Sequence, residues 1–210
     1  MLARAWSLPS RQTKVKASRL HSKGNQAVRF TLVYQGELPP RGSSKDKWRI
    51  RRGIEPQLRQ LWDVPPFDSI AKYKDPSYQP DTCYVGMTRG GFEYIPYIST
   101  KLDLRAELRI RLLSSSMPGG LVHSGDIDNR LKTLLDALSV PSAQQVPDNA
   151  DADPDGRVFC LLEDDRLVTR IDVTNDRLLS VPENSRETIV LVDVRPVAHI
   201  VTSANIGIST

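Results

Sequence analysis

The stretch Leu104-Arg105-Ala106-Glu107-Leu108-Arg109-Ile110-Arg111-Leu112 places an apolar residue at every second position, with a charged residue at four of the positions between. Side chains of a strand point alternately to its two faces, so a period of two marks a strand with one face in a core and one in water. A loop is expected over Ser114 to Ser124, and a helix over Asp126 to Leu138. In that helix Leu131, Leu134, Leu135 and Leu138 fall at i, i+3, i+4 and i+7, the spacing of one apolar face. Upstream, Val28 to Tyr34 is β-branched and aromatic and reads as a first strand, stopped by Gly36 and the Pro39-Pro40 pair.

Lys45 to Trp62 has helical spacing (Trp48, Ile50, Ile54, Leu58, Leu61, Trp62), interrupted by Gly53 and Pro56, which fits two short helices. Residues 63 to 91 read as a long loop and Phe92 to Ile98 as a strand. Pro141 to Arg157 is a polar, acidic excursion. It leads through Val158 to Leu162 into Glu163-Asp164-Asp165, followed by strands over Leu167 to Val173 and Thr188 to Val194. This order predicts an α+β fold, a mixed or antiparallel sheet packed with helices as a single domain. The expected organisation is a basic arm over residues 1–27, a folded domain over 28–196 with the 141–157 excursion as an insertion, and a tail over 197–210.

With 210 residues the chain can bury a core without disulfides or a structural metal. Cys83 and Cys160 have neither a CxxC spacing nor flanking histidines, which excludes a disulfide framework and argues against structural zinc. No apolar run reaches membrane-span length, so no membrane partner and a cytoplasmic location are expected. Before Gly36 every charged residue is basic. That composition suits an organelle transit peptide or an arm that contacts phosphate. The formal net charge of +4 and a pI near 9.1 favour an anionic partner.

Asp126 and Asp128 stand two apart where an extended segment is expected to become a helix, with Asp128 at the N-cap position. On extended backbone i and i+2 point the same way, so the two carboxylates would project together, and a hard cation would relieve their repulsion. Lys132 lies one helical turn beyond Asp128 and would share its face; Glu163-Asp164-Asp165 could close the site. Capping and i,i+4 pairing (Asp128 with Lys132, Lys132 with Asp136) provide a plainer account of the same residues. The dense charge of Lys45, Lys47, Arg49, Arg51, Arg52 and Arg59 reads either as a solvated helix face or as a patch that tracks phosphates. Asp151-Ala152-Asp153-Pro154-Asp155-Gly156 opens like a calcium loop. It lacks glutamate at the twelfth position and carries an interior proline, so an acidic solvated loop is expected. Trp6, Trp48 and Trp62 are expected to be packing residues, an exposed aromatic being able instead to stack on an unpaired base.

The pattern Asp126-x-Asp128-Asn129-x-x-Lys132-x-x-x-Asp136-Ala137-Leu138, followed by the Asp164-Asp165 pair before a strand, resembles the RusA family of Holliday-junction resolvases. The resemblance covers roughly Arg29 to Val194 and is specific only in this central motif. It implies a magnesium-dependent endodeoxyribonuclease, with manganese as a substitute, that acts as a homodimer on branched DNA in recombination and repair. Asp126, Asp128 and Asp165 would ligate the metal, Lys132 would match the catalytic lysine, and Asn129 and Asp164 would support them. Arg130, Lys47, Arg51 and Arg52 are the candidate DNA contacts. The chain departs from the family in its long 141–157 excursion and in Ser124-Gly125, which stands where arginines are common. The alternatives are a non-catalytic homodimer of this fold that binds branched DNA, and a metal nuclease acting on RNA or flap DNA.

Overall fold

A computed structural model describes residues 28–77, 83–115, 124–151, 153–179, 182 and 185–208, without the side chains of residues 124–126. Among the described residues seven strands and two α-helices build an α+β fold with two mixed sheets. The strands are β1 (Phe30–Glu37), β2 (Met87–Arg89), β3 (Phe92–Ile98), β4 (Leu104–Ser114), β5 (Arg157–Leu162), β6 (Val168–Arg177) and β7 (Glu187–Ala198). The helices are α1 (Ser44–Leu61) and α2 (Ser124–Leu138). In the larger sheet the order is β1-β7-β4-β6; β7 runs antiparallel to both neighbours and β6 parallel to β4. The smaller sheet has the order β2-β3-β5, antiparallel then parallel.

The alternation in β4 behaves as its sequence predicts. Leu104, Ala106, Leu108, Ile110 and Leu112 are buried, while Arg109 and Arg111 are exposed. Their buried face meets Val190, Val192 and Val194 of β7 and the apolar side of α1 in one core. Trp48 and Trp62 are buried, as expected; Trp6 lies outside the described residues.

α1 is one helix of 18 residues, not two. Ser43 and Asp46 form a capping box: the Ser43 hydroxyl accepts from the Asp46 amide at 3.2 Å, and Asp46 accepts from the Ser43 amide at 3.0 Å. Pro56 cannot donate to the carbonyl one turn back, at a cost of about 3 kcal/mol in a helix interior. Burial of Ile50, Ile54, Leu58 and Leu61 along one face carries the helix through it; each such side chain contributes roughly 1.5–3 kcal/mol. Gly53 lets α1 lie close on β1, since a Cβ there would meet the Tyr34 ring at 3.2 Å.

Three further expectations need correction. The segment 63–91 is not a plain loop: Phe67–Lys74 forms a 3-10 helix that buries Phe67, Ile70 and Tyr73, and β2 follows at Met87. Val158 to Leu162 belongs to a strand, β5, at the end of the smaller sheet; its last five residues are all buried, so its continuous apolar run is that of a parallel strand covered on both faces. The chain after Pro196 is tied down: Ile208 is buried, and the buried Asn205 amide donates to the carbonyls of Leu102 and Ile200 at 2.8 and 2.9 Å.

The 141–157 excursion is not a free acidic loop. Its aspartates pair with the arginines of α1: Asp153 with Arg52 at 2.8 Å and Arg59 at 2.7 Å, and Asp155 with Arg59 at 2.9 Å, while Trp48 Nε1 donates to Asp151 at 3.1 Å. Beneath them Glu55 is almost fully buried; its Oε1 accepts from the Phe159 amide at 3.3 Å, and Arg52 and Arg59 supply the counter-charge. Burial holds the Glu55 carboxyl above its ordinary value, and the arginines oppose that.

Asp153 and Asp155 lie below theirs, chiefly through hydrogen bonds from Arg52 and Arg59 respectively. A depressed carboxyl stabilises the clasp above the unfolded value of 3.8, and that contribution is lost as pH falls through the lower folded value. Hydrogen exchange of amides over 148–157, taken relative to the intrinsic exchange rate at the same pH, is therefore expected to accelerate below about pH 4. Asp153→Asn should produce the same acceleration at neutral pH. Exchange unchanged in both experiments would show that the clasp does not hold the excursion.

Candidate active site

α2 begins at Ser124, two residues before the predicted start, so Asp128 lies in its second turn and not at the N-cap. The extended backbone that would align Asp126 with Asp128 is absent, because both residues are in helical conformation. On a helix, neighbours lie three and four residues apart, not two. The geometric case for a shared i,i+2 pair therefore fails. The Asp126 side chain lies outside the described residues.

Asp128 and Lys132 do lie i,i+4 on the helix, and both are exposed. Among the described residues neither takes a hydrogen-bond or ion-pair partner. Asp136 pairs with Lys47 of α1 at 2.7 Å, and not with Lys132. The opposite side of α2 is buried through Leu134, Ala137 and Leu138. The helix is fixed at its middle by Thr133, which accepts from the Gly42 amide at 2.9 Å and donates to the Asn129 carbonyl at 3.0 Å. The Asp128–Lys132 edge is thus presented to solvent by a helix anchored on its other face.

At the far end of α2 the Val140 amide donates to the Leu162 carbonyl at 3.0 Å, which joins this end to the end of β5. Three residues on, Asp165 opens a 3-10 turn, Asp165–Leu167, and is exposed. Asp164 caps that turn: it accepts from the Arg166 amide at 3.0 Å and from its guanidinium at 2.8 and 2.9 Å. The hydrogen bonds from Arg166 hold the Asp164 carboxyl down at about 2. Glu163 is occupied by Ser99 and Thr100, accepting from the Ser99 hydroxyl at 2.7 Å and the Thr100 amide at 2.8 Å. Within the acidic triplet, Asp164 and Glu163 therefore have structural partners, and Asp165 is the most exposed carboxylate. Asp128 stands ten residues before Leu138, about 15 Å up the helix axis.

The oxygen donors of Asp128 and Asp165 suit a hard divalent cation. Among the described residues no three His, Cys, Asp or Glu side chains gather closely enough to hold a metal ion. The third carboxylate expected of the site, Asp126, is not among those side chains.

The predicted DNA contacts divide differently. Arg51 is buried, 2% exposed, and donates to the carbonyls of Asp136 at 2.8 Å and Ser139 at 2.9 Å. Arg52 is committed to Glu55 and Asp153, and Lys47 to Asp136. These three hold α1 to α2 and to the excursion; they do not form an open phosphate-tracking patch. Arg130 is half-buried and engaged in a contact of its own. No sequence signal distinguished the internal arginines from free ones, because burial of Arg51 and Glu55 depends on which elements become neighbours.

Comparison of the chain with protein-family models, with curated proteins and with solved structures gives no match. Among the described residues no helix is long and apolar enough to cross a membrane.

Proposed function

We propose that this chain is a magnesium-dependent, structure-selective endonuclease of the RusA type, acting as a homodimer on branched DNA. The observation that carries the reading is the Asp128–Lys132 pair: two opposite charges one turn apart, exposed, and without a side-chain partner among the described residues, on a helix where Asn129, Arg130, Thr133 and Asp136 are engaged. The motif around them, from Asp126 to Leu138 and again at Asp164-Asp165, adds sequence support.

The motif assigns the cation to Asp126, Asp128 and Asp165; the helix turns Asp126 about 200° away from Asp128, so Asp128 with Asp165 would hold the cation, which would supply a polarised scissile phosphate and an activated water. Lys132, one turn from Asp128, would place a positive charge beside the phosphate as its negative charge grows. The Thr133 hydroxyl donates to the Asn129 carbonyl and accepts from the Gly42 amide, so the middle of α2 keeps its position beside the start of α1.

The test is cleavage of a synthetic four-way junction beside a linear duplex of the same sequence, with Mg²⁺ and with EDTA. Paired symmetric nicks in the junction alone, abolished by EDTA, are expected. Binding of the junction without cutting in Mg²⁺ or Mn²⁺ would replace this reading with that of a non-catalytic branched-DNA binder. Cutting of RNA or flap DNA in preference to the junction would reassign the substrate.

A further inference from the structure

The larger sheet has one buried face, against α1 and the core, and a second face whose described residues are exposed or half-buried. Strand register assigns the residues of that second face. Thr31, Asp193, Arg109 and Asp172 form one row across β1, β7, β4 and β6; Arg195, Glu107 and Arg170 form the next. These residues, with Arg29, line a shallow groove of about 400 Å³.

The groove and the β4 positions flanking it carry six arginines, Arg29, Arg105, Arg109, Arg111, Arg170 and Arg195, and no lysine. Three carboxylates stand among them. Glu107 pairs with Arg195 at 3.1 Å, Asp172 with Arg170 at 3.1 Å, and Asp193 with Arg111 at 3.8 Å. Arg29, Arg105 and Arg109 have no carboxylate partner among the described residues. Farther along the same face the charge reverses, with Glu187 and Asp176.

From this charge distribution we infer that the arginine-lined outer face of the larger sheet docks the sugar-phosphate backbone of double-stranded DNA. The inference rests on the reading of the chain as a DNA-processing enzyme and assigns its duplex-binding surface. Guanidinium groups bind phosphate as planar forks, and alternate residues of β4 are about 6.7 Å apart, close to the rise of two phosphates along one strand. The ion-paired arginines are held in place by their carboxylates, and the three without such partners supply the uncompensated charge. Contacts of this kind fix register on the duplex and carry no base sequence.

The experiment is fluorescence anisotropy of a labelled linear duplex in EDTA, so that binding is read without cutting, over a series of salt concentrations. The combined variant Arg29→Gln, Arg105→Gln, Arg109→Gln is expected to weaken binding equally for unrelated sequences and to flatten the salt dependence by roughly 3 in slope. Asp172→Asn, which removes a negative charge from the groove, is expected to tighten binding, an outcome that misfolding cannot imitate. Wild-type affinity and slope in the triple variant, or no duplex binding by the wild type, would overturn the assignment. Displacement of the duplex by polyglutamate at equal charge would reassign the face to an acidic protein partner and overturn it as well. If the junction is cut normally while the triple variant binds as wild type does, this inference fails alone. If duplex binding follows the arginines and no substrate is ever cut, the docking face stands and the nuclease reading fails.

Discussion

Asp128→Asn is expected to lower single-turnover cleavage of a four-way junction by roughly 10³-fold while leaving junction affinity in EDTA unchanged. The size follows from the several kilocalories per mole that a bound cation contributes to charge stabilisation, at 1.36 kcal/mol per tenfold in rate. The substitution keeps the shape of the side chain and removes its charge. Asp128 is exposed and has no partner within the described chain, so stability should change by less than about 0.5 kcal/mol. A loss of rate at constant melting temperature then reports on chemistry and not on folding. Lys132→Met, on the same edge of α2, should cost about 10²- to 10³-fold, the usual effect of removing one charge-stabilising donor. Wild-type cutting by Asp128→Asn would show that this edge of α2 is not the active site, whatever the substrate proves to be.

The strand over Phe92–Ile98 is reproduced in its bounds, and the two elements with strict periodicity are reproduced in the faces they bury. β4 alternates because its inner face alone meets the core, and the spacing of Leu134, Ala137 and Leu138 sets the buried side of α2. What the sequence could not convey was which charged residues face each other. Arg51 and Arg49 are two residues apart on α1 and alike in composition, yet Arg51 is buried under α2 while Arg49 is exposed beside Glu37 and Asp46. The difference depends on α2 crossing α1 near Asp136, a contact 85 residues distant in sequence. The start of α2 was misplaced for a related reason. Asp128 is a good capping residue, and local propensity marks it as a boundary even though the helix continues through it to Ser124. The arginines of β4 were legible as a water-facing row. Their concentration into a groove became visible only when the register of β7 and β6 set Arg195 and Arg170 beside them.

Arg51→Met should destabilise the protein by about 3 kcal/mol and leave duplex binding unaltered, the reverse of what a phosphate-contacting arginine would give. The Arg51 guanidinium reaches two carbonyls where α2 ends, those of Asp136 and Ser139, which have no intrahelical donor waiting for them. Both bonds lie beside a side chain that is 2% exposed, so water cannot replace the lost donors without opening the α1–α2 contact. A buried acceptor left without a donor costs roughly 1–3 kcal/mol, and methionine removes the donors for both. The apolar stem of methionine still packs against Trp48, whose ring lies 5.6 Å from the guanidinium carbon, so the packing loss is small and the polar loss dominates. For a chain of this length the shift in melting temperature should be about 6–12 °C, with a matching fall in the urea midpoint. Arg51→Lys should recover only part of this: both bonds come from the one nitrogen Nη2, and the ammonium has donors for both carbonyls, but the shorter lysine stem sets it back from that point. An unchanged melting temperature together with weakened DNA binding would return Arg51 to the phosphate-contacting role; a large thermal shift with intact binding would fix it as the clamp that closes α2 onto α1 and thereby holds the Asp128–Lys132 edge in place.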